Sequence, residues 1–204
     1  MGKVRFDISM SLDGFVAGPN DGPGNGLGDG GEALHEWIVE TESFQRHHGR
    51  QGGQTGVESD LLDEAFEGVG AIVMGRRMFD NAEEPWGDEP PFRVPVFVDT
   101  HRGREPLAKQ GGTTFHFVTD GVEAALEQAR EAAGGGDVAI GGGASVIQQL
   151  LAAGAVDEFQ VHIAPLFLGS GVRLLADGEM LAGALEQTRV IDSPGATHLK
   201  YTVS

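Results

Sequence analysis

Predicted strands and helices alternate through the second half of the chain, and this alternation constrains the fold more than any other feature of the sequence. Short apolar segments typical of buried strands occur at 69–74, 94–98, 113–118 and 137–140. Amphipathic helices are predicted at 122–133 and 144–153, and a short helix is predicted to begin after Gly75. Because such units form right-handed crossovers, we expect an α/β fold with one mixed, mostly parallel sheet flanked by helices.

Three further segments alternate between apolar and polar side chains. They are the first ten residues and two late segments, 159–164 and 197–203, and period-2 alternation predicts strands. No helix is evident between the two late segments, and each is half polar. We therefore expect them to join one edge of the sheet as antiparallel strands.

The region between the first strand and residue 69 has fewer clear signals. Residues 11–31 are rich in Gly, Pro and Asn and are longer than an ordinary connection, so we expect an irregular loop that could cover a ligand. The spacing of apolar residues predicts helices at 32–47 and 59–67. Since no repeat, linker or charge block divides the chain, we expect a single domain over 1–204.

Charge and composition exclude several classes of partner and site. The chain has 14 Lys and Arg against 31 Asp and Glu, a formal net charge of −17 at pH 7, and a surface this acidic repels nucleic acids and anionic lipids. It contains no cysteine, which excludes disulfides, thiolate metal sites and a Cys nucleophile. No signal-peptide or membrane-spanning pattern is found. We expect a cytoplasmic protein that binds neither nucleic acid nor membrane.

The strongest local motif joins a predicted buried strand to a predicted helix through three glycines. It runs Ile140, Gly141, Gly142, Gly143, Ala144, Ser145. Glycines let a ligand approach the backbone closely, and the start of a helix favours an anion such as pyrophosphate. The alternative is a tight turn with close packing of the helix on the sheet. The motif is not the Rossmann fingerprint, because Val146 stands where its third glycine would be.

Two other predicted strands end in polar groups. Gly75, Arg76 and Arg77 follow one strand, and paired arginines suit a ribose 2′-phosphate. The alternative is that each arginine pairs with a surface carboxylate. Another strand is followed by Thr100 and His101. Because ligands of open parallel sheets bind beyond the carboxyl ends of the strands, a shared site at these three ends is the favoured interpretation.

Together these segments resemble the dihydrofolate reductase superfamily, and more closely the branch with the reductase domain of the bacterial riboflavin-biosynthesis deaminase-reductase. The matching segments are SLDGFVAGP, IVMGRRMFD, VPVFVDTHR and IGGGASVIQQLLAAGAVDEFQVHIAPLFLGSGVRLL. The resemblance implies a sheet of about eight strands, a homodimer, and hydride transfer from NADPH to a small heterocyclic substrate such as a pterin or a riboflavin precursor.

The resemblance also assigns cofactor contacts by position. The pyrophosphate is expected at 141–145, and the adenosine phosphate region at Gly75, Arg76, Arg77, Thr100 and His101. The nicotinamide carboxamide is expected at the backbone of Val16 and Ala17.

The proton donor is not identified by the sequence. True dihydrofolate reductases use a carboxylate of their first helix, and its counterpart here could be any of four residues, Glu32, Glu36, Glu40 or Glu42. Asp13 and Glu36 are the candidates that we carry forward. If neither acts, the alternative is a nucleotide-binding protein that keeps the reductase fold without catalysis. We expect no metal site, because His35 and Glu36 begin an HExxH pattern that Val39 breaks.

Overall fold

The computed structural model describes residues 2–175 and 183–204, so Met1 of the predicted first strand and part of the predicted domain 1–204 lie outside the described residues. The strands are β1 (Val4–Ser11), β2 (Phe15–Ala17), β3 (Val69–Gly75), β4 (Pro95–Asp99), β5 (Leu107–Ala108), β6 (Thr114–Val118), β7 (Asp137–Gly142), β8 (Glu158–Ala164), β9 (Val172–Arg173), β10 (Leu185–Asp192) and β11 (Thr197–Val203). The helices are a first 3-10 helix (Gly31–His35), α1 (Glu36–Val39), α2 (Glu42–His47), α3 (Val57–Phe66), α4 (Arg76–Trp86), a second 3-10 helix (Gln110–Gly112), α5 (Val122–Ala132) and α6 (Ala144–Ala152).

Among the described residues, nine strands form one mixed sheet in the order β10-β11-β8-β1-β7-β3-β4-β6-β5. The six central strands, β8 to β6 in this order, are parallel to their neighbours. The antiparallel strands lie at the two edges: β11 and β10 on one side, β5 on the other. The α/β fold with a mostly parallel sheet is therefore confirmed, with nine strands where about eight were expected.

The prediction for the two late strands was partly wrong. β11 is antiparallel to β8, as expected, but β8 pairs in parallel with β1. Helix α6 supplies the crossover that brings β8 back beside β1, and the polar residues of β8 are buried rather than solvated. The additional edge strand is β10, whose exposed side chains give no core-facing pattern to detect.

The two faces of the sheet bury different clusters. One face packs under α5 and α6, with side chains such as Val73, Ile140 and Ile147 at its centre. The other face carries a second cluster, in which Phe79 of α4 packs against Met74 and Phe115. The side chains of β1 on this second face are polar, and α1 and α3 cover them. Within the described residues, no helix is both long enough and apolar enough to cross a membrane.

The continuous helix predicted at 32–47 was wrong. The structure has three short helices there, and Thr41 separates the second from the third. Thr41 is extended, with φ −73° and ψ 152°, and its Oγ1 accepts a hydrogen bond from the backbone N–H of Phe44 at 3.2 Å. A Thr that caps a new helix ends the preceding one, which the apolar spacing alone does not show.

The loop at 11–31 is more regular than expected. It contains β2, which pairs with β9, and its central part is closed by backbone hydrogen bonds from Gly18 to Leu27 and from Asp29 to Pro19, both 2.8 Å. Gly28 has φ +70°, and a Cβ there would lie 2.3 Å from the carbonyl oxygen of Gly18. Only glycine fits this crossing of the chain, so close backbone packing requires the glycine at this position.

Candidate active site

The three glycines form a bend between β7 and α6. Gly142 has φ +118°, and a Cβ there would lie 3.1 Å from Sδ of Met78. Gly143 has φ −79°, and no atom lies within 4 Å of the position its Cβ would take. The peptide bond between these two glycines is cis. The fold thus requires glycine at 142, whereas at 143 the space beside the backbone is open.

The end of β3 lies directly against this bend. A Cβ on Gly75 would be 3.2 Å from Cγ2 of Val146 and 3.5 Å from the backbone nitrogen of Gly143. Arg76 begins α4 at this point, and Ala144 begins α6. Two helix starts therefore lie side by side at the carboxyl ends of two adjacent parallel strands, and the structure brings the glycine bend and the arginines into one crevice.

The arginines of this crevice are already paired with carboxylates. Nε of Arg76 donates to Asp80 at 2.6 Å, and Nη2 of Arg102 donates to the other oxygen of Asp80 at 2.9 Å. Nη2 of Arg77 donates to Asp21 at 2.5 Å, while 68% of the Arg77 side chain is exposed. The ion-pair alternative from the sequence is thus present.

The end of β4 lies level with Gly75, which is opposite Asp99 in the register of β3 and β4. Thr100 is buried, and its hydroxyl accepts a hydrogen bond from the backbone N–H of Arg102 at 3.0 Å. His101 is exposed. Burial raises the pKa of Asp99, and the neighbouring His101 opposes this effect. Thr100 therefore orders the turn that carries Arg102, whereas the side chain of His101 faces solvent.

Val16 and Ala17 lie in β2, next to the first 3-10 helix. The pairing of β2 with β9 shifts between Phe15 and Ala17, so that Val16 is the extra residue of a bulge. Ala17 is buried, and its Cα lies 3.8 Å from the Cβ position of Gly31. The backbone groups of a bulged residue are free of the strand ladder and can bind a ligand.

Asp13 has a structural position. One carboxylate oxygen accepts from the Ser11 hydroxyl at 2.6 Å and from the backbone N–H of Leu168, and the other accepts from the N–H of Gly169 at 2.7 Å. The Ser11 hydroxyl and these two N–H groups hold the pKa of Asp13 below its usual value, against a smaller effect of burial. A carboxylate that stays ionised and ties two loops together is poorly suited to donate a proton.

A cleft of about 230 Å³ lies on the second face of the sheet, between α1, α3 and the strands. Its walls are mostly apolar and include Leu61, Phe66, Ile72 and Phe92. Gly141 belongs to its lining, so the cleft adjoins the glycine bend. Its lining also includes Asp7, Ser9, His35, Trp37 and His162. The other predicted proton donor, Glu36, is exposed and is not part of this lining.

The polar wall of the cleft was not predicted. Ser9 and His162 are register partners on β1 and β8, and His162 and His198 are partners on β8 and β11. Trp37 covers this row: its Nε1 donates to Ser9 at 2.9 Å, and its ring lies 4.5 Å from that of His162. The sequence contains the signal, since both histidines lie in alternating strands, but only the register aligns them.

His35 reaches the same cleft from the 3-10 helix. Its Nδ1 atom is buried, and among the described residues no hydrogen-bond partner is found for it. Burial, with the neighbouring His162 imidazole, lowers the pKa of His35 to about 4. The ring is therefore neutral near pH 7, and one of its nitrogens is buried without a hydrogen-bond partner among the described residues.

Comparisons with known proteins agree with this geometry. The family described as the RibD C-terminal domain matches residues 2–199. A structure from Shewanella sp. PV-4, provisionally named a riboflavin biosynthesis protein, is 22% identical with a TM-score of 0.65 and 99% coverage of both chains. Dihydrofolate reductase from Enterococcus faecalis, solved with NADP(H), is 14% identical with a TM-score of 0.55, covering 99% of this chain and 96% of its own. The uncharacterised protein YyaP of Bacillus subtilis (strain 168) is 24% identical over 181 residues, covering 86% of this chain and 81% of its own.

Proposed function

The chain belongs to the RibD C-terminal domain family, and from this we propose that it is an NADPH-dependent reductase that transfers a hydride to a small heterocyclic substrate. The substrate class is that of a pterin or a riboflavin precursor. The observation that carries the proposal is the open space at Gly143, which follows Gly141 of the cleft lining by two residues and lies beside Gly75, the residue before the arginines of α4. One crevice thus offers an anion site and, beside it, a site for a flat apolar ring.

The bend fits the pyrophosphate of a dinucleotide. A Cβ at Gly143 would occupy the open space, so glycine keeps the backbone accessible there. The N–H groups of Ala144 and Ser145 belong to the first turn of α6, where backbone donors lack partners within the helix. With the positive end of the helix dipole, they favour a phosphate group in front of Gly143.

The arginines fit the 2′-phosphate that distinguishes NADPH from NADH. Arg77 is the most exposed member of the pair, and Arg76 is held by Asp80 beside it. A phosphate carries more charge than a carboxylate and accepts bidentate bonds from Arg, so it can compete with Asp21 for Arg77. Thr100 and His101 border the same end of the crevice.

The nicotinamide would lie between the bulge at Val16 and Ala17 and the cleft. NADPH would supply the hydride there, while the protein orients the ring and excludes water. The apolar walls of the cleft and the aromatic rings of Phe66 and Phe92 suit a planar heterocycle. The polar wall would orient its ring nitrogens and carbonyl oxygens.

We further propose a cytoplasmic homodimer, which the acidic surface keeps away from nucleic acids and anionic membranes. The strand β10 forms one edge of the sheet, and Leu185 and Val190 on it are 45% and 52% exposed. An edge strand with exposed apolar side chains is suited to pairing with a second copy. Light scattering of the purified protein would test the dimer.

The experiment that tests the function has two stages. Calorimetric titration with NADPH and NADH should show binding of both, with NADPH bound more tightly. Loss of the near-ultraviolet absorbance of NADPH should then be followed with a panel of pterins and ribosylamino-pyrimidines. Turnover of a panel member establishes the reductase. Failure to bind either nucleotide would overturn the proposal, and binding without turnover by any panel member would favour the non-catalytic alternative.

A further inference from the structure

A chain of polar contacts leads from the cleft along this face of the sheet toward the surface. It starts at Asp7, whose carboxylate is 3.6 Å from Nε2 of His162. Nδ1 of His162 is 2.7 Å from Nδ1 of His198. On its other side, Nε2 of His198 is 3.0 Å from the hydroxyl of Ser193, which donates to Glu58 at 2.6 Å. The two histidines are buried, whereas Ser193 and Glu58 are partly exposed.

The order of donors and acceptors in this chain follows from its outer end. The Ser193 hydroxyl has one proton and lies 2.6 Å from the carboxylate of Glu58 and 3.0 Å from the carbonyl of Ala196, so the nearer charged oxygen receives it. Ser193 must then accept from Nε2 of His198. The bare Nδ1 of His198 in turn accepts from Nδ1 of His162. This leaves Nε2 of His162 without a proton on the side of the cleft, so the Asp7 carboxylate, 3.6 Å away, is not its hydrogen-bond partner in this state and accepts from the Gln160 amide instead.

The charged groups around the two rings come from four elements. Asp7 on β1 and His35 of the 3-10 helix face His162, and Arg189 on β10 and Glu58 on α3 lie on the side of His198. Burial lowers the pKa of His198 to about 4, with smaller effects of the neighbouring His162 and Arg189 side chains. A neutral His198 can act as donor and acceptor at once, which a relay requires.

We propose that His162 is the proton donor of the reaction and that His198, Ser193 and Glu58 replace the proton that it gives up, with Glu58 as the store. This inference rests on the proposed reductase function. When Glu58 carries a proton, the chain reverses: Glu58 donates to Ser193, Ser193 to Nε2 of His198, and Nδ1 of His198 to Nδ1 of His162. Nε2 of His162 then carries a proton toward the cleft.

The proton balance of one turnover is complete. The hydride forms a new C–H bond at the C=N or C=O group of the substrate, and its nitrogen or oxygen takes the proton from Nε2 of His162 while the double bond becomes single. Each hydrogen of the relay then moves one place inward, which leaves Glu58 ionised. When the product leaves, a proton from solvent enters the cleft at Nε2 of His162, each hydrogen of the relay moves one place outward, and Glu58 regains its proton, while the cofactor leaves as NADP⁺.

The first test determines which ring nitrogens of His162 and His198 carry protons, in the protein without cofactor or substrate. Long-range proton–nitrogen NMR of ¹⁵N-histidine protein should show, at neutral pH, His162 with its proton on Nδ1 and His198 with its proton on Nε2. Ser193→Ala removes the acceptor of His198 and should convert both rings to tautomer mixtures. Glu58→Gln keeps an acceptor oxygen for Ser193 and should leave both tautomers unchanged. His162 protonated on Nε2 in the native protein at neutral pH, or either ring charged there, would overturn the relay.

The second test reads proton transfer during turnover. Glu58→Gln removes the proton store while keeping the bonds, so kcat should fall about tenfold or more and the solvent deuterium isotope effect should rise, with NADPH affinity unchanged. His162→Gln should lower kcat by about 100-fold. Asp60→Asn is the matched control, because Asp60 lies on the same helix and its side chain is exposed.

The outcomes of the two tests separate the relay from the reductase function. Unchanged kcat and isotope effect in Glu58→Gln would reject the relay while the reductase function stands. If NADPH does not bind at all, the function fails, and the tautomers still show whether the chain of donors exists.

Discussion

Gly75 and Gly143 lie so close that a Cβ on Gly75 would be 3.5 Å from the backbone nitrogen of Gly143. Gly75 is the last residue of β3, and Gly143 directly precedes α6, the helix that follows the neighbouring strand β7. Their contact places the start of α4 beside the start of α6, and the proposed phosphate sites depend on this arrangement.

The sharpest test of the proposed pyrophosphate site is Gly143→Ala. Apart from the adjoining residues, no atom of the described ranges 2–175 and 183–204 lies within 4 Å of the new Cβ, and the φ of −79° is open to alanine, so the fold should be retained. Alanine is a poorer N-cap than glycine, and we expect a stability loss of about 1 kcal/mol. In the proposed complex the methyl group occupies the space of the phosphate, so we expect NADPH and NADH affinity to fall by about tenfold or more. Calorimetric titration measures both.

Gly142→Ala separates these two effects. That residue has φ +118°, and its Cβ would press on Met78, so the substitution should lower stability more than Gly143→Ala does. A folded Gly143→Ala protein that binds NADPH as tightly as the native protein would remove the bend from the cofactor site.

The paired arginines should set the preference for NADPH. In Arg76→Ala/Arg77→Ala, NADPH affinity should fall by about tenfold or more, and NADH affinity should change much less, since NADH has no 2′-phosphate. Arg130→Ala is the control for net charge, because Arg130 is exposed in the last turn of α5, away from the crevice. Equal losses for NADPH and NADH in the double variant would contradict the phosphate contact.

The sequence predicts the elements of this crevice because its signals are local. Three glycines between an apolar strand and an amphipathic helix indicate the bend, and Arg76 and Arg77 follow an apolar strand in the same way. Parallel strands then bring their carboxyl ends together without further information. What the sequence does not show is that Asp21 occupies Arg77, since this pair depends on tertiary packing, whereas Arg76 and Asp80 are i, i+4 neighbours on one helix.

The histidine row is invisible in the sequence for a different reason. His162 and His198 are 36 residues apart, and their contact depends on the antiparallel register of β8 with β11. A shift of one residue would send one ring to the opposite face. The region around Thr41 shows the opposite situation. The spacing of apolar residues predicts one continuous helix there, but the Thr41 hydroxyl caps a new helix and so ends the preceding one.

Asp13 should prove to be a structural residue. In Asp13→Ala the N–H groups of Leu168 and Gly169 lose their acceptor, so we expect a lower midpoint of urea unfolding and faster amide hydrogen exchange at these two positions. Asp29→Ala is a useful comparison, because Asp29 ties Asn20 and Asn25 inside the neighbouring loop and should leave exchange at 168 and 169 unchanged. Exchange at Gly169 that does not respond to Asp13→Ala would contradict the anchoring role.

The buried histidines should make the fold sensitive to mild acid. His35 and His198 have pKa values of about 4 in the folded protein against an ordinary 6.5, so below pH 6.5 the unfolded chain binds protons that the folded chain does not. The contribution of these two histidines to the free energy of unfolding is therefore complete above about pH 6.5 and is lost as the pH falls toward 4. For each ring the loss is at most about 3 kcal/mol. Glu64, with its pKa lowered to about 2 by Arg189 and Lys200 against the effect of burial, adds a separate loss between about pH 4.5 and 2.

Urea unfolding at a series of pH values measures these two windows of acid sensitivity. His35→Gln should reduce the loss of unfolding free energy between pH 6.5 and 4, because glutamine does not titrate there. His48→Gln should not reduce it, since His48 is exposed. A free energy of unfolding that stays constant from pH 7 to 4.5 would contradict the neutral, buried state of both rings and, with it, the donor order on which the His162–His198 relay depends.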